Sequence, residues 1–503
     1  MSVCRAWSFT LSGIDAVPVE VEVDVGAGLP RFSIVGLPDA AVQEARERVR
    51  VAVTNSGFKF PTKKVIVNLA PANLRKEGPA FDLPIALAVL AVSGVLPAES
   101  LRCAGVVGEL SLDGGLRGIR GSLSMAEAAR RKGLDNLALP ENNAWEAASI
   151  GSVAVYGVES LQQAVGFFRG EAEVAPSRTT GNGQDPEPEI HDDFADVMGQ
   201  SFAKRALEVT AAGAHNVLLS GPPGSGKTML ARRVPGILPA LTSEESIEVT
   251  KVYSAAGETN GGLVRTRPFR APHHTISTSG LAGGGSNPRP GEVSLAHHGV
   301  LFLDEFPEFS RQTLEVLRQP LEDGHVTISR VAATLSYPAR TTLVCSMNPC
   351  PCGYSGDRRR VCRCSAGQIE RYQGRLSGPL LDRLDLFVDV PRLTREELRS
   401  EDPVEPSQAI RERVVGARVI QTRRQGVANA ALAGRRLRET CRLQGDAETL
   451  FSRAIDRMGL SGRAHDRVLR VARTVADLAG AEAIEAEHVA EALNYRRSRF
   501  VDR

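Results

Sequence analysis

The run Gly221-Pro222-Pro223-Gly224-Ser225-Gly226-Lys227-Thr228 carries the plainest chemistry in this chain. Its glycines let the backbone curl until successive N–H groups converge on one point, which is the arrangement that holds a phosphate. Lys227 is spaced to reach the β- and γ-phosphates of a nucleoside triphosphate, and the Thr228 hydroxyl to ligate Mg²⁺. The apolar Val217-Leu218-Leu219 on one side reads as a strand and Met229-Leu230-Ala231 on the other as the start of a helix. An ordinary glycine-rich turn has no need of a Lys-Thr pair in that context. The spacing therefore predicts ATP and Mg²⁺ as ligands.

Two more strand ends carry polar residues. Val300-Leu301-Phe302-Leu303 runs into Asp304-Glu305, and the strand from Thr342 to Ser346 runs into Met347-Asn348-Pro349. Four continuous apolar residues suit a strand buried on both faces. Asp304 is placed to hold Mg²⁺ through its water shell, and Glu305 to orient and deprotonate the attacking water. Asn348 sits where it can hydrogen-bond the γ-phosphate or that water; a turn-forming Asn before Pro is the alternative. Cys350-Pro351-Cys352 and Cys362-Arg363-Cys364, nine residues apart, make a compact four-thiolate set. Tetrahedral Zn²⁺, closed on all sides and so structural, is its natural occupant, against four unligated thiols in a loop. Cys4, Cys103, Cys345 and Cys441 are isolated and expected to be buried. The pairs His273-His274 and His297-His298 are adjacent, so neither puts two imidazoles on one helical face, and a structural role is expected for both.

These residues need elements to position them. At 503 residues the chain is too long for one core, and its 42% hydrophobic content is that of an ordinary globular protein. A net charge of +2 neither demands nor excludes a polyanionic partner. The N-terminus lacks a signal-peptide core, and the greasiest stretch, Leu83 to Leu96, is broken by Ser93 and Gly94 and too short to span a bilayer, so no membrane partner and a cytoplasmic location are expected. Residues 1–170 alternate strand and helix signals. Val19 to Val25 and Lys64 to Asn68 read as strands. Helices begin at Pro38-Asp39, with Val42, Ala45, Val49 and Ala52 on one face, near Asp82, and at Ser122, ending at Gly133. This is a small α+β domain. Residues 171–192, rich in Pro, Gly and acidic residues, read as a flexible linker. Residues 193–391 read as α/β, with a helix from Ala203 to Ala212 and a β-hairpin formed by 326–330 and 334–340. Residues 392–503 read as a lid-like helical bundle.

The front residues resemble the C-terminal domain shared by Lon proteases and RadA-type recombination proteins, a ribosomal-S5-like fold. At the nucleophile and lysine positions this chain has Ala80 and Leu123, which can neither attack a carbonyl nor take a proton, so the resemblance implies a protease-dead domain that docks partners or DNA. The remaining motifs resemble the AAA+ ATPases. Gln200…Lys204-Arg-Ala-Leu-Glu208, His215-Asn216, Arg267-Pro-Phe-Arg-Ala-Pro-His-His274, Gly291 to His297 and Ser377-Gly-Pro-Leu-Leu-Asp-Arg-Leu-Asp385 are similar to the magnesium-chelatase-like ComM (YifB) family.

That resemblance implies an AAA+ P-loop core with a helical lid behind the Lon-like domain, working as a homohexameric, ATP-hydrolysing DNA motor. It implies branch migration during natural transformation, with recombination proteins as further partners. By position, Gln200 and Met229 join the nucleotide contacts, Asn348 is sensor 1, Arg383 the arginine finger inserted into a neighbour's site, and Arg463 sensor 2, with Arg467 or Arg470 as alternatives. Arg330 and Arg340 on the hairpin, and Arg270 and Arg289 beside the glycine-rich 280–286 insert, take the place of pore contacts to DNA. Two rivals stand beside this reading. A magnesium-chelatase motor subunit is disfavoured by the Lon-like domain. A nucleotide-dependent scaffold is disfavoured by Glu305 and Arg383, which a pure switch does not need.

Overall fold

The structure, a computed structural model, describes residues 3–151, 153–177, 192–259, 262–285, 288–329, 334–357, 359–394, 396–397 and 403–496. The chain divides into two compact units. One comprises Met1–Asp185 together with Ser243–Val264 and Ser329–Tyr337; the other comprises Pro186–Thr242, Arg265–Ile328 and Pro338–Arg503. Two segments within the expected ATPase stretch thus pack with the front unit. Most of the expected linker lies outside the described residues.

The front unit is built on a seven-stranded mixed sheet. Strands Cys4–Ser12, Asp15–Gly26 and Lys64–Ala70 pair antiparallel, and Arg31–Val35 and Ala104–Val106 join parallel at either side. Helix Ala40–Asn55 starts where expected because the Asp39 carboxylate accepts from the Val42 N–H, and it buries Val42, Ala45, Val49, Ala52 and Val53 on one face. Helix Asp82–Val92 is apolar all round and lies inside the core. Its one charge, Asp82, accepts a bidentate pair from Arg48 at 2.8 and 3.0 Å. Burial nevertheless raises that carboxyl to about 6. Helix Ser122–Lys132 stops at Gly133, whose φ of 78° is the left-handed cap expected of it. Ala80, in the turn Pro79–Phe81, and Leu123, in that helix, are both buried. Cys4, Cys345 and Cys441 are buried as expected, but Cys103 is exposed, because it falls in the turn just before strand Ala104–Val106.

The second unit is a five-stranded, all-parallel sheet in the order Phe269–Arg270, Val300–Leu303, Thr342–Met347, Val217–Ser220, Leu386–Asp389. Alternation assigns each side chain to a face. Val217, Leu219, Val300, Phe302, Val344, Leu386 and Val388 join the core formed with helices Ser201–Gly213 and Lys227–Ile237. Leu218, Leu301, Leu303, Leu343, Cys345, Met347 and Phe387 pack into a second core on the other side. Both faces are covered, which is why these strands read as continuous apolar runs. Helices Ser407–Gln425, Gly434–Thr440, Gly445–Met458, Gly462–Leu478 and Ala486–Asn494 follow, and their apolar faces enter the first of those cores. His325–Ser329 and Thr334–Pro338 are strands, as expected for a hairpin; Arg330 lies outside the described residues. No helix among the described residues is long and apolar enough to cross a membrane.

Candidate nucleotide site

A parallel sheet presents the C-terminal ends of its strands along one edge, and loops leaving that edge converge. Here Ser220 leads into Gly221, Leu303 into Asp304 and Met347 into Asn348. The loop from Gly221 to Gly226 needs its glycines for separate reasons. A Cβ on Gly221 would lie 2.1 Å from the Val390 carbonyl oxygen, while Gly224 and Gly226 adopt φ of 73° and 92° with open space around them. Helix Lys227–Ile237 begins directly after Gly226, which aims its free N–H groups at the loop's hollow.

Lys227 is buried. Its ammonium donates to the carbonyls of Gly221 at 2.7 Å and Pro222 at 3.0 Å, and to Asn348 Oδ1 at 3.3 Å. Burial lowers it to about 8, against the pull of Asp304 and Glu305. Thr228 Oγ1 donates to Asp304 Oδ2 at 2.8 Å, and Asp304 Oδ1 accepts from the Ser346 hydroxyl and, at 3.0 Å, from the Glu305 N–H. Four of the residues singled out by their spacing are therefore in two hydrogen-bonded pairs, Lys227–Asn348 and Thr228–Asp304, side by side at the start of one helix. Glu305 stands at the rim with a left-handed φ of 51°, its carboxylate half-exposed and 3.5 Å from His274 Nδ1. The residues fit a Mg²⁺-nucleotide: the Thr228 hydroxyl and Asp304 carboxylate adjoin, and the buried Ser225 hydroxyl inside the loop has no hydrogen-bond partner among the described residues.

Other singled-out residues are placed around this centre rather than in it. Gln200, itself at φ 55°, donates its side-chain amide to the carbonyls of Ser225 at 3.3 Å and Pro391 at 2.7 Å, tying the loop to the end of the neighbouring strand. Met229 is exposed on the first turn of the loop's helix. Arg383 turns its guanidinium inward, to the Pro379 carbonyl at 2.6 Å, the Arg318 carbonyl at 3.2 Å and the Glu322 carboxylate. Its ion-pair partner is Glu322. Arg463 is exposed, 4.0 Å from Asp382, whereas Arg467 is nearly buried 3.5 Å from Asp385. Arg470 has a buried Nε with no hydrogen-bond partner among the described residues. Arg270 is already held bidentately by Glu292 at 2.6 and 2.8 Å, while Arg289 and Arg340 are exposed.

The His215-Asn216 pair has a positional role. Asn216 accepts from the Leu343 N–H at 2.9 Å, donates to the Arg383 carbonyl at 3.1 Å, and donates its own N–H to Asp385 at 2.9 Å. His215 meets Thr474 at 2.8 Å and lies 3.7 Å from Asp385. Burial alone would raise Asp385; His215, Arg467 and the Asn216 N–H overcome it and hold the carboxyl at about 2. His297 is also structural, accepting from the Arg340 N–H at 3.0 Å. Sequence reading missed Ser346 and His274 as neighbours of the site. Ser346 lies two residues before Asn348, but nothing local marks a serine at a strand end as a carboxylate's partner.

The four cysteines gather in the same unit. Cys350, Cys352, Cys362 and Cys364 hold their sulfurs within 4.8 Å of one another, with three pairs at 3.4, 3.6 and 3.6 Å. A tetrahedral zinc with bonds of about 2.3 Å requires sulfur–sulfur edges of about 3.8 Å. The cluster fits that ion. Hydrogen bonds from the backbone of Arg363 and Tyr354 lower the Cys352 thiol to about 6, while desolvation and the sulfurs beside them raise Cys362 and Cys364, so the set shares its charge rather than ionising alike.

Three family models match the chain, described as "Subunit ChlI of Mg-chelatase" over residues 21–143, "Magnesium chelatase, subunit ChlI" over 193–398 and "Magnesium chelatase, subunit ChlI C-terminal" over 404–496. The uncharacterized protein YifB of Salmonella typhimurium is 45% identical over 488 residues, 96% of this chain and 95% of its own length. Competence protein ComM of Haemophilus influenzae is 44% identical over 506 residues, 99% of this chain and 98% of its own. The chain belongs to the ComM/YifB magnesium-chelatase-like family. A more distant relative, the magnesium-chelatase 38 kDa subunit of Cereibacter sphaeroides, is 24% identical over 59% of this chain and 88% of its own length. As a ComM/YifB member the chain has a core of the AAA+ type, and its parallel sheet with the loop at the strand ends is the architecture that class uses.

Proposed function

We propose that this ComM/YifB protein is an ATP-hydrolysing motor that assembles as a hexameric ring, moves DNA through it, and promotes branch migration during recombination. The observation that carries the hydrolytic part is the two hydrogen-bonded pairs Thr228–Asp304 and Lys227–Asn348 at the mouth of the glycine loop. Bound ATP with Mg²⁺ supplies the phosphoryl group. Lys227 and the loop N–H groups hold its negative charge, and Thr228 with Asp304 fixes the metal's position. Glu305, exposed at the rim, takes the proton of the attacking water, and Asn348 orients that water. Arg383 of a neighbouring chain stabilises charge on the transferring oxygens, and an arginine from the helix Gly462–Leu478 completes the cage.

The DNA-directed part is supported by kinship with a protein named for competence and by the exposed Arg289 and Arg340. The front unit acts in this reading as a protease-dead, Lon-like docking module, since buried Ala80 and Leu123 occupy the positions of nucleophile and base. A second reading, a chelatase-type motor subunit, draws on the family models' descriptions. The front region's match carries that description too, so the front domain does not by itself set the two apart. What favours the DNA reading is that the ComM and YifB relatives align over nearly the whole chain and the chelatase subunit over 59% of it.

ATP turnover measured with and without forked DNA, alongside unwinding of that DNA, is the test. Stimulated turnover with strand separation is expected, Lys227→Ala should bind nucleotide poorly, and Glu305→Gln should bind it without turning over. Turnover indifferent to branched DNA sinks the motor reading.

A further inference from the structure

The four-cysteine cluster is joined to the nucleotide loop through several contacts. Asn348, which bonds Lys227, is followed immediately by Pro349 and Cys350, so one cluster residue continues the strand that carries the site. Cys350 is fully buried. Gly353, one residue beyond Cys352, lies flush on the loop: a Cβ there would come within 2.6 Å of the Pro223 ring, at a φ of 82° that only glycine adopts freely. On the cluster's far side, Arg392 donates to the Pro223 carbonyl at 3.2 Å, faces Asp357 at 3.5 Å, and stacks over the Tyr354 ring at 5.5 Å. Arg360 stacks on that same ring at 5.1 Å and donates to its hydroxyl at 2.7 Å. The segment between the two Cys-x-Cys pairs is thus held at its ends by sulfur and along its length by Arg392, and it presses on Pro223 and borders Asn348.

Among its described residues the segment is otherwise held only by short-range contacts: Asp357 Oδ1 accepts from the Arg359 and Arg360 N–H groups, and the Asp357 N–H donates to the Tyr354 carbonyl. It contains Gly353 and Gly356, no regular strand or helix among its described residues, and an exposed Val361. The four sulfurs, two at each end of the segment, lie within 4.8 Å of one another, so one cation among them would tie both ends together. Losing the metal frees both ends of the segment, and with them the surface against which Pro223 and Asn348 rest.

We propose that a thiophilic divalent cation, zinc in the first instance, held by Cys350, Cys352, Cys362 and Cys364, sets the affinity of the nucleotide loop by bracing Pro223 and Asn348. Metal occupancy is then a control on the ATP site as well as a fold stabiliser. The inference rests on the nucleotide reading of the loop, so the test separates the two.

The full chain is purified and its metal content measured by atomic emission. It is then stripped with a chelator, reloaded with Zn²⁺ or Cd²⁺, and titrated at each stage with a fluorescent ADP analogue, without DNA. One equivalent of zinc per chain is expected, with affinity about tenfold or more weaker after stripping and restored by either cation. Because stripping can also unfold the segment, Gly353→Ala supplies a second arm. It keeps all four thiols and its zinc, yet its methyl displaces Pro223, so its affinity should again be about tenfold weaker with one equivalent of zinc still bound, while the left-handed backbone lowers its thermal stability modestly. Stripped and loaded protein that bind within about twofold of each other, or a zinc-loaded Gly353→Ala that binds like the parent, overturns the brace. Zinc-loaded parent that binds the analogue no better than Lys227→Ala removes the nucleotide reading itself, and the brace with it. Protein that neither carries nor takes up metal also overturns it.

Discussion

Burial takes the Lys227 ammonium out of water and lowers its pKa to about 8, although Asp304, Glu305, two backbone carbonyls and an amide oxygen favour the charged form. In the ligand-free protein the ammonium is protonated below that pH and increasingly neutral above it. Nucleotide phosphates favour the charged form, so binding above about pH 8 must take up a proton, and affinity falls by up to about tenfold per unit of pH there. Calorimetry of ADP binding at pH 8.5, in two buffers of different ionisation enthalpy, should record uptake approaching one proton. A heat independent of buffer would mean that Lys227 is not the group facing the phosphates. Asp304 offers a second residue-scale test. One of its oxygens is held by Thr228 and the other by Ser346 and the Glu305 N–H. Removing the hydroxyl in Ser346→Ala loosens the carboxylate without touching the loop. The Mg²⁺ concentration for half-maximal turnover should rise about tenfold to a hundredfold, with metal-free nucleotide binding unchanged.

At the scale of elements, the knot around Asp385 fixes the strand Leu386–Asp389 and the turn before it against the strand that carries the loop. Asp385 is buried and receives the Asn216 N–H, with Arg467 and His215 beside it. Asp385→Asn keeps the shape but leaves the Arg467 charge without its counter-ion, and should cost about 3–5 kcal/mol in urea unfolding. With the folded pKa near 2 and an unfolded value of about 3.9, the carboxylate's contribution is complete above pH 4 and is lost only as pH falls toward 2. The sequence already displayed much of this architecture. Val300–Leu303 and Thr342–Met347 read as strands because both faces are buried, and helix Ala40–Asn55 because one face is. Strands Ala104–Val106 and Leu386–Asp389 did not show, being three and four residues long with no alternation to count. Lys227, Thr228, Asp304 and Asn348 were legible because motif spacing stands in for geometry at a strand–loop–helix corner. The partners Ser346, His274 and Arg392 were not: nothing local marks Ser346 as a carboxylate's partner although it lies two residues before Asn348, and His274 and Arg392 come from other segments of the chain. The two Cys-x-Cys pairs announced a cluster, but not that it would press on Pro223.

At the scale of the whole molecule, the question is whether one chain completes its own site. Among the described residues, Arg383 is bound to Pro379, Arg318 and Glu322, and to none of Lys227, Thr228, Asp304 or Asn348. If it serves a neighbour, assembly must draw it from Glu322, and Arg383→Ala should lower turnover by about 10³–10⁵ while leaving nucleotide affinity nearly as it was. Loss of rate alone does not separate service in trans from a local structural role, but a mixture does. Lys227→Ala chains keep an intact Arg383, and Arg383→Ala chains keep an intact loop; each alone is inactive. In a head-to-tail ring every interface pairs one chain's loop with the next chain's arginine. Random co-assembly of the two variants in equal amounts gives a working pair at about a quarter of interfaces, so turnover should recover to about that fraction of the parent's if sites act independently. Sites that depend on their neighbours around the ring would recover less than that quarter, because every mixed ring also holds dead interfaces. Co-assembled variants, verified as mixed rings by differential tagging, that stay as inactive as their parts would place Arg383 in its own chain's framework and leave the neighbour without a role in the chemistry.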